Sequence, residues 1–288
     1  MRGMLEQHGY CVFTDWLDAA TLNKLKLWCT EALANISAAH RNQYRAQGSI
    51  INILDFPVFS EMIADSDICN IFSSLGMSHP VFCSGSIISK PPAGPTLFWH
   101  QDWWAWDHPL SYTNQVSQVN VMIYLQATSV ENGCLRVIPG SHRHVHPIHD
   151  INTPIDAALS RVDNPEDPAY QSWPDEQAIA VQPGDVVVKD SRLLHSAYPN
   201  TSSAERTLLS LNYNPDYPTL PAALKAAIQD IFHGKHAADH PGQPGSGVLP
   251  HWSEEQRKRI EMLIPHYSGN ELPVTFNTRP DPALLLGG

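Results

Sequence analysis

The pattern of apolar and polar positions divides the 288-residue chain into a helical start, a strand-rich middle and a helical end. Residues 9–14 form a short apolar segment that predicts a strand. Apolar residues then recur at helical spacing, which predicts a helix that Asp18 caps and that continues to about Ile36. A second helix is expected over residues 61–76. The chain is therefore expected to begin with one strand and two helices.

Short apolar segments separated by turn residues dominate the middle of the chain, residues 81–214. Turn sequences such as Pro139-Gly140 and Pro183-Gly184 end several of them. About eight strands over roughly 130 residues predict a sandwich, a jelly roll or a barrel. The predicted strands are 81–89, 96–102, 116–126, 134–138, 178–181, 185–189, 194–198 and 206–213.

Two longer segments complete the predicted organisation. Residues 141–177 read as a loop insertion with short helices, and long loops in compact domains are often functional. Residues 215–288 form a helical extension, with helices expected over 222–232 and 253–263. Nothing in the pattern marks a second domain, so residues 1–288 are interpreted as one domain of the mainly β, α+β class.

Composition excludes several classes of protein. Apolar residues make up 42% of the chain and aromatic residues 9%, which is enough for a core and too much for a disordered chain. No apolar stretch approaches the roughly 20 residues that a membrane helix needs. Glu6, Gln7 and His8 stand where a signal peptide would be apolar, so a cytoplasmic location is expected.

Charge and cysteine content narrow the choice further. The chain carries 18 Lys and Arg against 29 Asp and Glu, a net charge of −11, and has no basic stripe. Such a protein is a poor nucleic-acid binder. The odd number of scattered cysteines favours reduced thiols over a disulfide framework. They are Cys11, Cys29, Cys69, Cys83 and Cys134.

The first candidate for chemistry is the pair His100 and Asp102. Side chains at positions i and i+2 of a strand point to the same side, so this imidazole and this carboxylate could reach one metal ion. The H-x-D pair alone is common by chance, and a surface histidine beside an aspartate is the alternative.

The second candidate lies far along the chain, where a buried strand after Gly184 leads to His195. Arg206 follows eleven residues later. Two histidines and one carboxylate form the facial triad of non-haem Fe(II), which leaves coordination positions open. A neighbouring arginine could clamp the carboxylate of a metal-chelating 2-oxo acid with two hydrogen bonds.

The order of these motifs resembles a known family. The H-x-D pair, the segment from Asn132 to His142, and a distal histidine with an arginine eleven residues later are similar to the phytanoyl-CoA hydroxylase family. Members are Fe(II)- and 2-oxoglutarate-dependent oxygenases with a double-stranded β-helix, or jelly-roll, core. The resemblance covers roughly residues 5–215. It implies Fe(II) as cofactor, with 2-oxoglutarate and O₂ as co-substrates.

The resemblance also implies roles for individual residues. His100, Asp102 and His195 match the metal ligands, and Arg206 matches the arginine that pairs with the distal carboxylate of 2-oxoglutarate. Related halogenases have alanine or glycine at the position of Asp102, so halogenation is disfavoured.

The rest of the co-substrate pocket departs from the family pattern. The family often has a hydroxyl residue two positions after the distal histidine, where this chain has Ala197 with Ser196 beside it. Ser196, Lys90 and Asn120 are therefore candidate 2-oxoglutarate contacts. A solvated lysine and a solvated strand face are the alternatives for Lys90 and Asn120.

Candidate substrate contacts come from three segments. The strand 116–126 alternates, and its more polar face could line a jelly-roll interior or face solvent. Three tryptophans follow the metal motif, and four histidines stand in the insertion, where a second metal site is a less favoured alternative to substrate contact. The candidates are Gln118, Tyr124, Trp104, Trp106 and His146, and packing is the alternative for the tryptophans.

The predicted function is oxidation, most simply hydroxylation, of an unactivated C–H bond of a small-molecule metabolite, with release of succinate and CO₂. Desaturation, cyclisation or demethylation are alternatives within the class. A non-catalytic jelly-roll binding protein and a zinc-dependent hydrolase are the rivals outside it. The acidic balance makes a large CoA thioester a less attractive substrate. No nucleic-acid or membrane partner is expected, and a homodimer is left open.

Overall fold

A computed structural model describes residues 1–151, 157–233, 249 and 251–286. Helices flank a strand-rich middle in this part of the chain. The helices are α1 (Arg2–His8), α2 (Ala19–Leu33), α3 (Ala38–Gln43), α4 (Ser60–Ile63), α5 (Ser66–Ser74), α6 (Ile148–Ile151), α7 (Ala157–Arg161), α8 (Ala222–Phe232) and α9 (Glu254–Ile260).

The strands form two antiparallel sheets. They are β1 (Tyr10–Phe13), β2 (Ile51–Asn52), β3 (Val81–Lys90), β4 (Val119–Tyr124), β5 (Leu135–Val137), β6 (Gln177–Ile179), β7 (Val186–Asp190), β8 (His195–Ala197) and β9 (Arg206–Asn214). The larger sheet has the order β1-β7-β4-β9-β3-β2, and the smaller has the order β6-β5-β8.

The two sheets pack face to face. Met122 and Tyr124 of the larger sheet share one buried apolar cluster with Leu135, Val137 and Ile179 of the smaller sheet. Opposed antiparallel sheets with their side chains meeting between them are the arrangement of a sandwich or jelly roll. The predicted mainly β class with flanking helices and a jelly-roll core is confirmed.

The outer face of the larger sheet is covered by the N-terminal helices. Val121 and Ile123 of β4 lie in one cluster with Leu22 and Leu25 of α2 and with Phe72 of α5. Alternate residues of β4 therefore face the helices, and the residues between them face the space between the sheets. That space is where the candidate site lies.

The predicted helix boundaries are partly right. The Asp18 carboxylate accepts a hydrogen bond from the Thr21 amide at 2.7 Å, as an N-cap does, and the helix ends at Leu33. The helix expected over residues 61–76 is two helices. Asp65 caps α5 by accepting hydrogen bonds from Asp67 and Ile68, so the chain starts a new helix where the spacing suggested a continuous one.

The strand predicted over residues 96–102 is wrong. The His100 backbone forms a single bridge with His195, but the Trp99 amide donates to the Ala169 carbonyl at 2.8 Å, in the insertion. The Asp102 amide donates to Ser191 instead. Because successive amides find partners on different segments, no regular ladder forms, although His100 and Asp102 still reach the same side.

The C-terminal extension packs over the tryptophan segment that follows Asp102. The α8 residue Ile228 shares a buried cluster with Trp103, Trp104 and Trp106. None of the helices in the described part of the chain combines the length and apolarity needed to cross a membrane.

The far end of the extension is an extended tail that pairs with the same segment. The Asn277 amide donates to the Trp104 carbonyl at 2.7 Å, and the Trp106 amide donates to the Asn277 carbonyl at 3.1 Å. Phe276 stacks on Trp104, with ring centroids 6.0 Å apart and planes 13° from parallel. The tail therefore holds this tryptophan segment against the body of the protein.

Candidate active site

Three side chains from distant parts of the chain converge between the sheets. The ligand atoms of His100, Asp102 and His195 all lie within 4.8 Å of one another, the one such His/Cys/Asp/Glu group found in the described part of the chain. The two histidine rings are 4.1 Å apart between centroids. Each Nε2 lies 3.5–3.6 Å from an Asp102 carboxylate oxygen. Three ligand atoms at these distances can surround one metal ion.

Backbone carbonyls orient both imidazoles for metal binding. The Nδ1 of His100 lies 3.0 Å from the Phe98 carbonyl, and the Nδ1 of His195 lies 3.0 Å from the Leu193 carbonyl. A carbonyl oxygen only accepts, so each Nδ1 carries the proton and each Nε2 presents a lone pair. This second hydrogen bond is the usual device for fixing a metal-binding histidine. The donor set fits a two-histidine, one-carboxylate iron site.

The local electrostatics keep these ligands in the required protonation states. Burial lowers the pKa of His100, and burial with the charge of Lys189 lowers that of His195, so both rings are neutral. Burial alone would raise the pKa of Asp102. The charge of Lys189 and its hydrogen bond to the carboxylate outweigh burial and lower the pKa below the usual range. Neutral imidazoles and an ionised carboxylate are the forms that bind a divalent cation.

The three side chains line a cavity of about 140 Å³ between the sheets. Its wall includes most of the predicted site residues and several that were not predicted. Among the lining residues are Lys90, Trp104, Gln118, Asn120, Tyr124, Ser196 and Arg206, together with Gln47, Ser84, Lys189, Asn212 and Ile231.

Arg206 begins β9 and lies in the same cavity, 2% exposed. Its Nε and Nη1 have no hydrogen-bond partner among the described residues. Its Cζ lies 5.6 Å from the centre of the Tyr124 ring. Burial lowers its pKa, but an arginine stays charged in proteins. A buried guanidinium with unused N–H groups is a site for an anion, and a carboxylate fits its fork.

The structure brings Lys90 next to Arg206 but uses its ammonium elsewhere. The Lys90 Nζ donates to the Pro95 carbonyl at 2.7 Å and to the Tyr198 carbonyl at 3.2 Å. Burial and the charge of Arg206 lower its pKa well below the ordinary value. An anion bound beside Arg206 would oppose this shift and favour the charged form of Lys90.

Ser196 points its hydroxyl toward the protein rather than toward an open space. Its Oγ donates to the Leu97 carbonyl and accepts from the Arg136 Nε at 3.0 Å. Asn120 also has protein partners, since its Oδ1 accepts from Lys189 at 2.7 Å and from Ser191 at 3.1 Å. The Ser196 hydroxyl and the Asn120 amide oxygen, on residues predicted to contact 2-oxoglutarate, are therefore already hydrogen-bonded within the protein.

The predicted substrate contacts divide into two sets. Gln118, Tyr124 and Trp104 line the cavity. Trp106 and His146 do not, within the described lining. Trp106 packs against Tyr112, at 5.5 Å between centroids, and the His146 Nε2 lies 3.3 Å from the Asp175 carboxylate. Both are held by neighbouring segments outside this lining, and their role as substrate contacts stays a prediction.

The buried histidines of the insertion make stability depend on pH. Burial and the neighbouring His146 lower the pKa of His149 to about 4 from 6.5. Between these pH values the unfolded chain binds more protons than the folded protein. The stabilisation is present above pH 6.5 and is lost as pH falls toward 4. We expect the free energy of unfolding, measured with urea, to fall by about 3 kcal/mol from this group. His149→Gln should show a smaller fall, and an identical pH profile in the variant would contradict the assignment.

Several cavity residues were missed by sequence reasoning. Lys189 was noted only as an interruption of an apolar run, although a charged residue after Val186-Val187-Val188 in a buried strand is itself a signal. Asn212 and Ser84 alternate with apolar neighbours in β9 and β3, which could have identified a polar interior face. Gln47 and Ile231 come from outside the strands, and no pattern in the sequence links them to the site.

The fold and the site together define the class of protein: a jelly-roll protein with a two-histidine, one-carboxylate centre and a buried arginine beside it. Comparison with known proteins then assigns the family. The chain matches the family described as Phytanoyl-CoA dioxygenase (PhyH) over residues 5–208, and it belongs to this family. The family resemblance predicted from the motifs is confirmed.

Individual relatives agree with this assignment. Phytanoyl-CoA dioxygenase 1 of Oryza sativa subsp. japonica is 31% identical over 166 residues, which are 57% of this chain and 55% of the rice protein. The chain thus spans about half the length of the curated relatives it matches. Ectoine dioxygenase of Sphingopyxis alaskensis is 27% identical over 173 residues, 55% of this chain and 54% of that protein.

A solved structure shares the fold over most of the chain. The non-heme alpha ketoglutarate dependent carbocyclase SnoK from nogalamycin biosynthesis superposes with a TM-score of 0.54 at 22% identity. The match covers 86% of this chain and 93% of SnoK. The two proteins therefore share their fold over most of this chain.

Proposed function

We propose that the protein is an Fe(II)- and 2-oxoglutarate-dependent oxygenase that oxidises a C–H bond of a small-molecule metabolite. One observation carries the proposal. A metal-ligand group and a buried arginine with unused N–H groups line the same cavity. A co-substrate that reaches from a metal to a guanidinium needs a chelating end and a distal carboxylate, and 2-oxoglutarate has both.

Each of these residues has a defined task. His100, Asp102 and His195 would hold Fe(II), and Arg206 would hold the distal carboxylate of 2-oxoglutarate. Lys90 supports the binding of this dianion by its positive potential. Iron, when bound with 2-oxoglutarate and O₂, supplies the oxidising chemistry. The protein contributes ligation, orientation and exclusion of water from a cavity enclosed between two sheets.

The substrate is proposed to be a small molecule without a large charged group. The described residues of the cavity away from Arg206 offer neutral amides and hydroxyls, from Gln47, Ser84 and Gln118, beside the apolar Trp104 and Ile231. Lys189 is the exception, and its charge is already paired with Asp102 at 2.6 Å. Such a wall suits a neutral metabolite with oxygen or nitrogen acceptors on one side and apolar surface on the other. Hydroxylation is the simplest outcome.

Reconstitution tests the proposal directly. The metal-free protein is mixed with Fe(II), 2-oxoglutarate and O₂, and succinate is measured. We expect succinate to form only when all three are present, and the Asp102→Ala variant to form none. Hydrolytic activity that Zn(II) restores, with no succinate formed in the presence of Fe(II), would favour the zinc-hydrolase alternative. A folded protein that binds neither Fe(II) nor 2-oxoglutarate would favour the non-catalytic alternative.

A further inference from the structure

A charged side chain is buried in the interior of the larger sheet, at a position where folding does not require a charge. Lys189 follows three valines in β7 and is 1% exposed. Its Nζ donates to Asp102 Oδ2 at 2.6 Å. Replacing a buried ion pair by apolar residues is often neutral or stabilising, so the pair is poorly explained by stability. A charged residue in an otherwise apolar buried strand departs from the usual sequence pattern, and such departures are characteristic of functional positions.

Lys189 also begins a row of polar side chains that crosses four neighbouring strands. In the sheet register Lys189 stands opposite Asn120, Asn120 opposite Asn212, and Asn212 opposite Ser84. Lys189 Nζ donates to Asn120 Oδ1 at 2.7 Å, Asn120 Nδ2 donates to Asn212 Oδ1, and Asn212 Nδ2 donates to Ser84 Oγ at 2.8 Å. All four side chains line the cavity.

The lysine fixes the direction of this row. An ammonium only donates, so the oxygen of Asn120 must face Lys189 and its NH₂ group must face Asn212. The same logic orients Asn212 toward Ser84. The row in turn holds the Lys189 ammonium in place, since Asn120 Oδ1 also accepts from Ser191 Oγ at 3.1 Å. The position of Nζ beside Asp102 is therefore set from two sides.

The Asp102 side chain is less enclosed than the two histidines of the metal-ligand group. Asp102 lies outside the regular strands, and its side chain is 24% exposed, against 9% or less for the two histidines. Carboxylates bind metals through one oxygen or through two. In a six-coordinate site, a facial triad whose carboxylate supplies one oxygen leaves three positions, two for a chelating co-substrate and one for O₂, and a second carboxylate oxygen would fill the third.

We propose that Lys189 is a positioning residue that occupies Oδ2 of Asp102 and leaves Oδ1 as the single ligand oxygen. The proposal rests on the proposed function, because it concerns the same metal site. Without the ammonium, the carboxylate is free to turn both oxygens toward the metal. The extra oxygen would then fill the position that a chelating co-substrate leaves for O₂ or water.

Mn(II) and 2-oxoglutarate serve as probes, so no substrate is required. In Mn(II)-loaded Lys189→Met we expect the dissociation constant of 2-oxoglutarate to rise by at least about tenfold. Water-proton relaxation, which reports metal-bound water, should show about one water fewer than in the wild type. Mn(II) affinity without 2-oxoglutarate should not fall, because the carboxylate gains an oxygen and the site loses a cation.

Lys90→Met is the matched control. It removes another buried ammonium from the same cavity, but Lys90 donates to the Pro95 and Tyr198 carbonyls and not to Asp102. Its metal-bound water number should equal that of the wild type. Lys189→Arg, which keeps a charged N–H donor, should restore the water number. Lys189→Gln is the second variant in case Lys189→Met does not fold. We expect it to weaken 2-oxoglutarate binding as well.

The outcomes separate the two proposals. A wild-type protein that fails to bind Mn(II) or 2-oxoglutarate would remove the proposed function. Wild-type binding with an unchanged water number and 2-oxoglutarate affinity in a folded Lys189→Met or Lys189→Gln variant would overturn the role of Lys189 alone. An equal loss of metal-bound water in Lys90→Met would also overturn it, since cavity charge rather than contact with Asp102 would then be the cause.

Discussion

Replacing His195 by alanine is expected to abolish succinate formation and to weaken metal binding by more than about 100-fold. Loss of an outer partner of a metal ligand already costs 10–100-fold, and loss of a ligand costs more. His195 is 5% exposed and shares the centre with His100 and Asp102. Isothermal titration of the metal-free protein with Mn(II), together with the succinate assay, measures both effects.

The insertion supplies a control for this variant. His144 is exposed and lies outside the three-residue group. His144→Ala should bind Mn(II) as the wild type does, within about twofold. Wild-type metal affinity in a folded His195→Ala protein would show that His195 is not a ligand.

Replacing Arg206 by methionine is expected to raise the KM for 2-oxoglutarate by roughly 30- to 1,000-fold. The variant keeps an unbranched apolar side chain but leaves the distal carboxylate buried without its charged partner, which costs about 2–4 kcal/mol. Mn(II) affinity should change little, because Arg206 does not belong to the ligand group. A higher KM for 2-oxoglutarate with little change in Mn(II) affinity would support the role of Arg206 in binding the distal carboxylate.

Arg161→Met is the control for Arg206→Met, because it also removes an arginine charge. It forms an exposed ion pair with Asp163, at 46% and 54% side-chain exposure. Arg161→Met should leave the KM for 2-oxoglutarate unchanged. An unchanged KM in Arg206→Met as well would mean that another group, such as Lys90, holds the distal carboxylate.

The strands of the core could be predicted because their signals are local. Alternation in β4, an apolar run in β7 and turn residues between strands mark their own elements. The segment 96–102 could not be resolved in this way. Its apolar residues read as a strand, but the Trp99 amide pairs with Ala169, nearly seventy residues away. Such pairing is decided by the folded insertion and leaves no trace in the local pattern.

In the candidate site, too, some residues could be predicted from the sequence, whereas other contacts depend on the folded structure. His100, Asp102, His195 and Arg206 could be named in advance because their order and spacing carry the family pattern. The contact of Lys189 with Asp102 depends on pairing between distant segments, since the Asp102 amide donates to the Ser191 carbonyl directly after β7. His146 was a plausible contact from composition alone, and its partner Asp175 belongs to the same insertion.

The tail that carries Phe276 and Asn277 lies beyond residue 208, where the family match ends. Ile231, which contributes to the cavity wall, lies beyond it as well. The ligands and Arg206 all lie before that point. The part of the chain that matches the family thus supplies the metal-ligand group and Arg206, whereas part of the cavity wall comes from residues outside the family match.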